Sequence, residues 1–87
     1  MRLKVKILYF ASIREKVGRD AEEVDVPAGI ATVAGLRGHL QKRGGAWADA
    51  LGDSKLLRMA VNQDMAKNTA PIKAGDEVAF FPPVTGG

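Results

Sequence analysis

The residues most suited to chemistry stand at the end of the sequence, Phe80-Phe81-Pro82-Pro83-Val84-Thr85-Gly86-Gly87. Gly86 and Gly87 have no Cβ, so their backbone could lie extended in a slot too narrow for any other residue, with a carboxylate on Gly87 at its bottom. A carboxylate is anionic at neutral pH and its oxygen is a poor leaving group, so Gly87 would act as an acyl donor only after activation. Pro82 and Pro83 terminate the apolar run Val78 to Phe81, because neither ring can donate to a sheet ladder. The four residues beyond them carry no capping group and no amphipathic pattern. A terminal diglycine on its own reads more readily as a frayed end, and the internal pair Gly44-Gly45, with no carboxylate to offer, reads as a turn.

Nothing else in the chain forms a catalytic constellation. Cysteine is absent, and the single histidine, His39, has no second ligand or carboxylate at useful spacing, so it reads as a surface residue and no metal site is expected. No glycine-rich loop ending in lysine is present to cradle a phosphate, so no bound cofactor is expected. The 13 basic and 10 acidic residues, net charge +3, are mixed along the chain without a Lys/Arg block or interleaved aromatics, which argues against nucleic-acid binding. The N-terminal segment alternates Arg2, Lys4 and Lys6 with Leu3, Val5 and Ile7 and leads into no long apolar run, so it is neither a signal peptide nor a membrane span. Lack of cysteine and of a targeting segment together suggest a cytoplasmic protein.

The elements that would position the tail follow from periodicity. Residues 2 to 8 and Glu22 to Val26 alternate with period two, and pairing them places Glu23 and Asp25 among Lys4 and Lys6 on a solvated sheet face. Between them, Ala11 to Val17 makes a short helix stopped by Gly18, with Arg14 and Glu15 projecting. Thr32 caps a main helix carrying Val33, Leu36 and Leu40 to about Arg43, in which Gly35 and Gly38 allow close approach to the sheet. Ala46 to Leu51 forms a short helical cover with Trp47 and Leu51 inward. Leu56 to Val61 is a third strand, Asn62-Gln63-Asp64 a turn, Met65 to Thr69 a short fourth strand, and Val78 to Phe81 the last. A single domain over residues 1–87 results, with residues 82–87 as its flexible tail.

Gly75-Asp-Glu-Val-Ala-Phe-Phe-Pro-Pro-Val-Thr-Gly-Gly87 resembles the ending of the ubiquitin-like sulfur carriers, and most closely that of the MoaD family, the small sulfur-carrying subunits of molybdopterin synthase. Phe10-Ala-Ser-Ile-Arg-Glu15 and Ala60-Val-Asn62 fall where that family has them, so the resemblance spans nearly the whole chain. It implies an α+β fold of the β-grasp, ubiquitin-like type, a mixed sheet with one main helix across one face; placing the last strand beside the first and parallel to it buries both apolar rows centrally, which the right-handed crossover rule allows without selecting it uniquely. A ferredoxin-like split βαβ arrangement is the alternative, disfavoured because only one long helix is readable.

The resemblance also implies a mechanism. An ATP-dependent adenylating enzyme converts the Gly87 carboxylate to a glycyl adenylate, sulfur from a persulfide donor displaces AMP to leave a 1-thioglycine thiocarboxylate, and the tail Pro82, Pro83, Val84, Thr85, Gly86 and Gly87 enters the large synthase subunit. There the sulfur passes to a cyclic pterin precursor in molybdenum cofactor biosynthesis. The catalytic groups belong to the partner, so the chain is not an enzyme by itself, and ATP is used by the activating partner. The same resemblance implies a partner surface of Arg14, Met65 and Phe81, with Met65 in place of the more usual leucine. A carrier for another pathway, such as thiamin thiazole synthesis or urmylation-like protein conjugation, and a plain ubiquitin-like binding module are the other readings.

Overall fold

The computed structural model describes residues 2–27, 29–52 and 56–83. Its elements are β1 (Arg2–Tyr9), α1 (Ala11–Val17), β2 (Ala21–Pro27), α2 (Val33–Gln41), α3 (Gly45–Ala50), β3 (Arg58–Val61), β4 (Asp64–Ala66) and β5 (Glu77–Phe81). The five strands form one mixed sheet in the order β2-β1-β5-β3-β4. β5 pairs in parallel with β1, as the sequence implied, and every other pairing is antiparallel. The strand that leads into the tail therefore lies at the centre of the sheet, held on both sides.

Alternation sorts the strands into two faces. Val5, Ile7, Tyr9, Val24, Val26, Met59, Val78 and Phe80 join the core with Val33, Leu36 and Leu40 of α2, and with Ile13, Ala50 and Leu51. Each fully buried aliphatic or aromatic side chain among them contributes roughly 1.5–3 kcal/mol. On the opposite face Lys4 lies across from Asp25 and Lys6 across from Glu23, the charge match expected from the sequence.

The helices end where their residues dictate. Gly18 caps α1 in the left-handed region at φ 78°, donating its N–H to the Arg14 carbonyl. Thr32 accepts from the Gly35 N–H through its side chain at 3.1 Å and so starts α2. α2 is shorter than the expected run to Arg43, because Lys42 and Arg43 complete only turns. Contrary to the close approach expected, neither α2 glycine is pressed against the sheet, and only Gly35 is crowded at all, by the segment that leads into the helix. A Cβ on Gly35 would come within 3.1 Å of the Ile30 side chain, whereas one on Gly38 would meet nothing within 4 Å. Gly44 serves as the turn, and Gly45 already opens α3.

The tight β3–β4 turn places Asn62 at φ 51° and Gln63 at φ 73°, the double positive φ that matches hairpin twist. It starts the fourth strand one residue earlier than expected and ends it at Ala66. Asn62 then fastens the hairpin to the start of β5. Its side chain donates to Asp76 Oδ1 at 3.0 Å and accepts from the Glu77 N–H at 3.0 Å, while its own N–H donates to the Glu77 carbonyl at 2.8 Å.

Candidate functional site

β5 runs toward the candidate tail with Phe80 turned into the core and Phe81 turned out. Pro82 and Pro83 follow half-buried, and Pro82 lines a groove with Ile13, Lys16, Ala50, Leu56 and Leu57. Val84, Thr85, Gly86 and the candidate reactive residue Gly87 lie outside the described residues. What the fold supplies is the exit: a strand paired on both edges and ended by two prolines.

The outer face beside this exit is apolar. The strand register sets Leu8 beside Ala79, Ala79 beside Ala60, and Ala60 beside Met65, one row across β1, β5, β3 and β4. Phe81 lies two positions beyond Ala79 on the same face of β5. Met65 is 62% exposed and Phe10 45% exposed, two of the three large hydrophobic residues most open to solvent among the described residues; the third is Leu56. Phe81 meets Phe10 edge to face, ring centroids 6.3 Å apart at 83°. Phe81 and Met65 thus lie on the same face of the sheet.

Among the described residues, Arg14 is linked to this surface only through its backbone. It is exposed on α1, whose first turn starts at Phe10, and its backbone N–H donates to the Phe10 carbonyl at 3.3 Å. Phe10 and Leu8 complete the patch and were not singled out from sequence. Leu8 carried a readable signal, since it continues the outward series Lys4, Lys6 with an apolar residue. Phe10 carried the same signal, because its backbone is still extended (φ −125°, ψ 154°) and it continues the series Lys4, Lys6, Leu8 before Ala11 turns the chain at φ 52°.

Behind the outward aromatics stands a polar and aromatic buttress. Tyr9, the neighbour of Phe10, donates its hydroxyl to Glu22 Oε2 at 2.7 Å and stacks on Phe80, the neighbour of Phe81, at 6.5 Å. Glu22 also accepts from Arg43 through two bonds, 2.9 and 3.2 Å, and from Arg19 at 3.2 Å. The Arg43 guanidinium lies 4.4 Å from the centroid of Trp47, and Trp47 meets Tyr9 edge-on at 5.4 Å. Trp47 is therefore packed against the core on one side and covered by a cation on the other.

The electrostatics follow from this pairing. Burial, then the hydrogen bond to Glu22 and its charge, push the Tyr9 hydroxyl well above the usual phenol range, so it remains a donor. Burial alone would raise the Glu22 carboxyl. The hydrogen bonds from Arg43 and Tyr9, with the Arg43 and Arg19 charges, outweigh it and hold the group below the ordinary carboxylate value. Arg37, which sequence reasoning passed over, is buried in α2 and donates to the Leu51 and Gly52 carbonyls at 2.8 and 2.6 Å, holding the end of α3.

Among the described residues no group of three or more His, Cys, Asp or Glu side chains could hold a metal ion, and no helix is long and apolar enough to cross a membrane. His39 is half-buried near the end of α2.

Comparison with known proteins places this arrangement. The sequence pattern of the ThiS family matches residues 7–87. The chain is 53% identical to the molybdopterin synthase sulfur carrier subunit of Escherichia coli K12, over 95% of this chain and 99% of that protein. It is 45% identical to the subunit of the same name from Haemophilus influenzae, with the same coverage. The crystal structure of SAMP1 from Haloferax volcanii superposes with a TM-score of 0.75 at 30% identity, covering 97% of this chain and 99% of the other. The fold is the ubiquitin-like β-grasp, and the chain belongs to the ThiS family and, within it, to the molybdopterin synthase sulfur carrier subunits.

Proposed function

We propose that this chain is the sulfur-donating subunit of a molybdopterin synthase, with Gly87 as its reactive end. The observation that carries the reading is the 53% identity to a sulfur carrier subunit across 99% of that protein's length, alongside a family match that runs through to residue 87. The Gly87 carboxylate is adenylated by an ATP-dependent partner, with pyrophosphate leaving. The terminal sulfur of a donor persulfide then displaces AMP to give an acyl disulfide, a second thiol attacks the donor's sulfur and leaves with it as a disulfide, and the thiocarboxylate so released gives its sulfur to the cyclic pterin precursor in the large subunit. The acid, base and anion-binding groups are the partners', so the chain contributes a reactive end and a docking surface.

The architecture supports this division of labour. Val84 to Gly87 reach roughly 14 Å when extended, which sets the depth of the receiving pocket. Ordering them costs about 1–2 kcal/mol per residue, and docking by the body must offset that cost. Phe81 and Met65, with Leu8, Phe10 and the charge of Arg14 at the margin, form the apolar centre and charged rim suited to it.

Deleting Gly87, or adding one residue after it, moves the reacting carbonyl by about 3.5 Å. Thiocarboxylate formation and pterin conversion should then be lost while the thermal melt is unchanged; transfer retained by the extended protein would overturn the reading. A second reading has one observation in its favour, the superposition on SAMP1; a related structure bears the description small archaeal modifier protein. An activated Gly87 could equally acylate a lysine amine. Parallel reconstitutions with the large synthase subunit, the thiamin thiazole machinery and a lysine-bearing acceptor separate these routes, and the pterin product alone is expected.

A further inference from the structure

We propose that Met65 is an oxidation site at which hydrogen peroxide uncouples this protein from the large synthase subunit, an inference that rests on the outer sheet face being the docking surface. The β3–β4 hairpin holds two methionines in opposite situations. Met59 points inward, 5% exposed, opposite Phe80 and Ala66 in the strand register. Met65 points outward, 62% exposed, on the edge strand and opposite Ala60. Peroxide reaches the second thioether in the folded protein and the first only when the hairpin opens.

The step balances without a further reagent. A sulfur lone pair of Met65 attacks one peroxide oxygen, the O–O bond breaks as the S–O bond forms, and the departing hydroxide takes up the remaining proton to leave as water. Sulfur loses two electrons and peroxide gains them. The product is polar and carries a strong acceptor oxygen where the reactant was a flexible apolar side chain.

That change falls on an apolar row. Leu8, Ala79 and Ala60, which continue the row from Met65, have no side-chain donor to offer the new oxygen. A partner closing over the row would strip water from the sulfoxide and leave it unpaired, a penalty large enough to weaken association by about tenfold or more. The fold itself should be indifferent, because the oxygen is added on the solvent side.

The test treats the folded protein with hydrogen peroxide and locates the added oxygen by fragment masses. Localisation is necessary because exchange of oxygen for sulfur at Gly87 adds the same nominal mass. Affinity for the large synthase subunit is then measured by calorimetric titration before treatment, after it, and after methionine sulfoxide reductase. Met65 should oxidise before Met59, affinity should fall about tenfold or more, and the reductase should restore it. Met65→Leu, whatever its own starting affinity, should show no change on peroxide treatment. Equal oxidation of Met59 and Met65 in the folded protein, or undiminished affinity of the Met65 sulfoxide, overturns the proposal. An untreated protein that does not bind the large subunit overturns the functional reading as well.

Discussion

The two faces of the sheet are made by the same strands under the same alternation, yet they differ in how firmly each side chain is committed. On the inner face Val5, Ile7, Tyr9, Met59, Val78 and Phe80 are all at most 5% exposed and are covered by α1, α2 and α3. On the outer face the same strands present Lys4, Lys6 and Met65 exposed, Leu8 and Phe81 half-buried, and Ala79 and Ala60 screened between their neighbours. Each inner residue is fixed by the fold, whereas the outer row leaves large apolar side chains open to solvent, Met65 at its end and Phe10 beside Phe81. An uncovered apolar row on a small domain has a function or a cost, and here it adjoins the exit of the tail.

The sharpest way to break that contrast uses the adjacent pair Phe80 and Phe81. Phe80→Ala empties a fully buried site and should cost about 3–5 kcal/mol, enough to unfold much of a domain of this size. Phe81→Ala should cost far less stability and should weaken association with the large synthase subunit and the adenylating enzyme by tenfold or more. Urea unfolding and partner titration check both. Equal losses of stability with unchanged binding per folded molecule would make Phe81 part of the core and remove the distinction between the faces.

A smaller effect is expected at Glu22 and Glu23, which are also adjacent and also point to opposite faces. Glu22 is tied to Tyr9, Arg19 and Arg43, so Glu22→Gln should cost about 1–3 kcal/mol at neutral pH. Its pKa is depressed in the folded state, so the contribution is complete above the unfolded carboxylate value and is lost as pH falls through the lower folded value. The difference between wild type and Glu22→Gln should therefore shrink toward acid pH. Glu23→Gln, on the solvated face opposite Lys6, should leave stability nearly unchanged and show no such convergence. Denaturant melts from neutral pH into the acid range provide the check.

The same contrast explains what was legible in the sequence. The inner face was readable because burial imposes a period: Leu3, Val5 and Ile7, then Val24 and Val26, then Val33, Leu36 and Leu40, could be placed without coordinates. The parallel pairing of β5 with β1 came from burying both apolar rows at the centre of the sheet, an arrangement the crossover rule allows without selecting it uniquely. The Glu22 cluster was hidden, since Tyr9, Arg19, Glu22, Arg43 and Trp47 meet only after β1, β2 and α3 have packed. Phe81 and Met65 were placed by resemblance. Phe10, which meets Phe81, was legible and overlooked: its extended backbone continues the outward series Lys4, Lys6, Leu8, and what alanine gave no warning of is the turn at Ala11 that follows. Arg37 was likewise illegible, since a charged residue inside a helix is expected to face water unless its carbonyl partners are already known.

The smallest expected effect tests the inward and outward contrast on α2, where the sequence suggested that two glycines were equivalent. Gly38 has open space around it and Gly35 does not, so alanine should act differently at positions three residues apart. At Gly38 alanine restores helix propensity and removes unfolded-state freedom, a gain of about 0.5–1 kcal/mol. At Gly35 the same gain is opposed by the new Cβ, which would crowd Ile30 at 3.1 Å and approach the Thr32 hydroxyl at 3.4 Å. That hydroxyl already accepts from the Gly35 N–H, so any shift that relieves Ile30 disturbs the cap. A stabilisation near 1 kcal/mol raises the melting temperature of a domain this size by about 4–8 °C. Gly38→Ala should approach that shift and Gly35→Ala should fall well short of it. Equal gains would mean that Ile30 yields freely and that the segment leading into α2 does not crowd the helix.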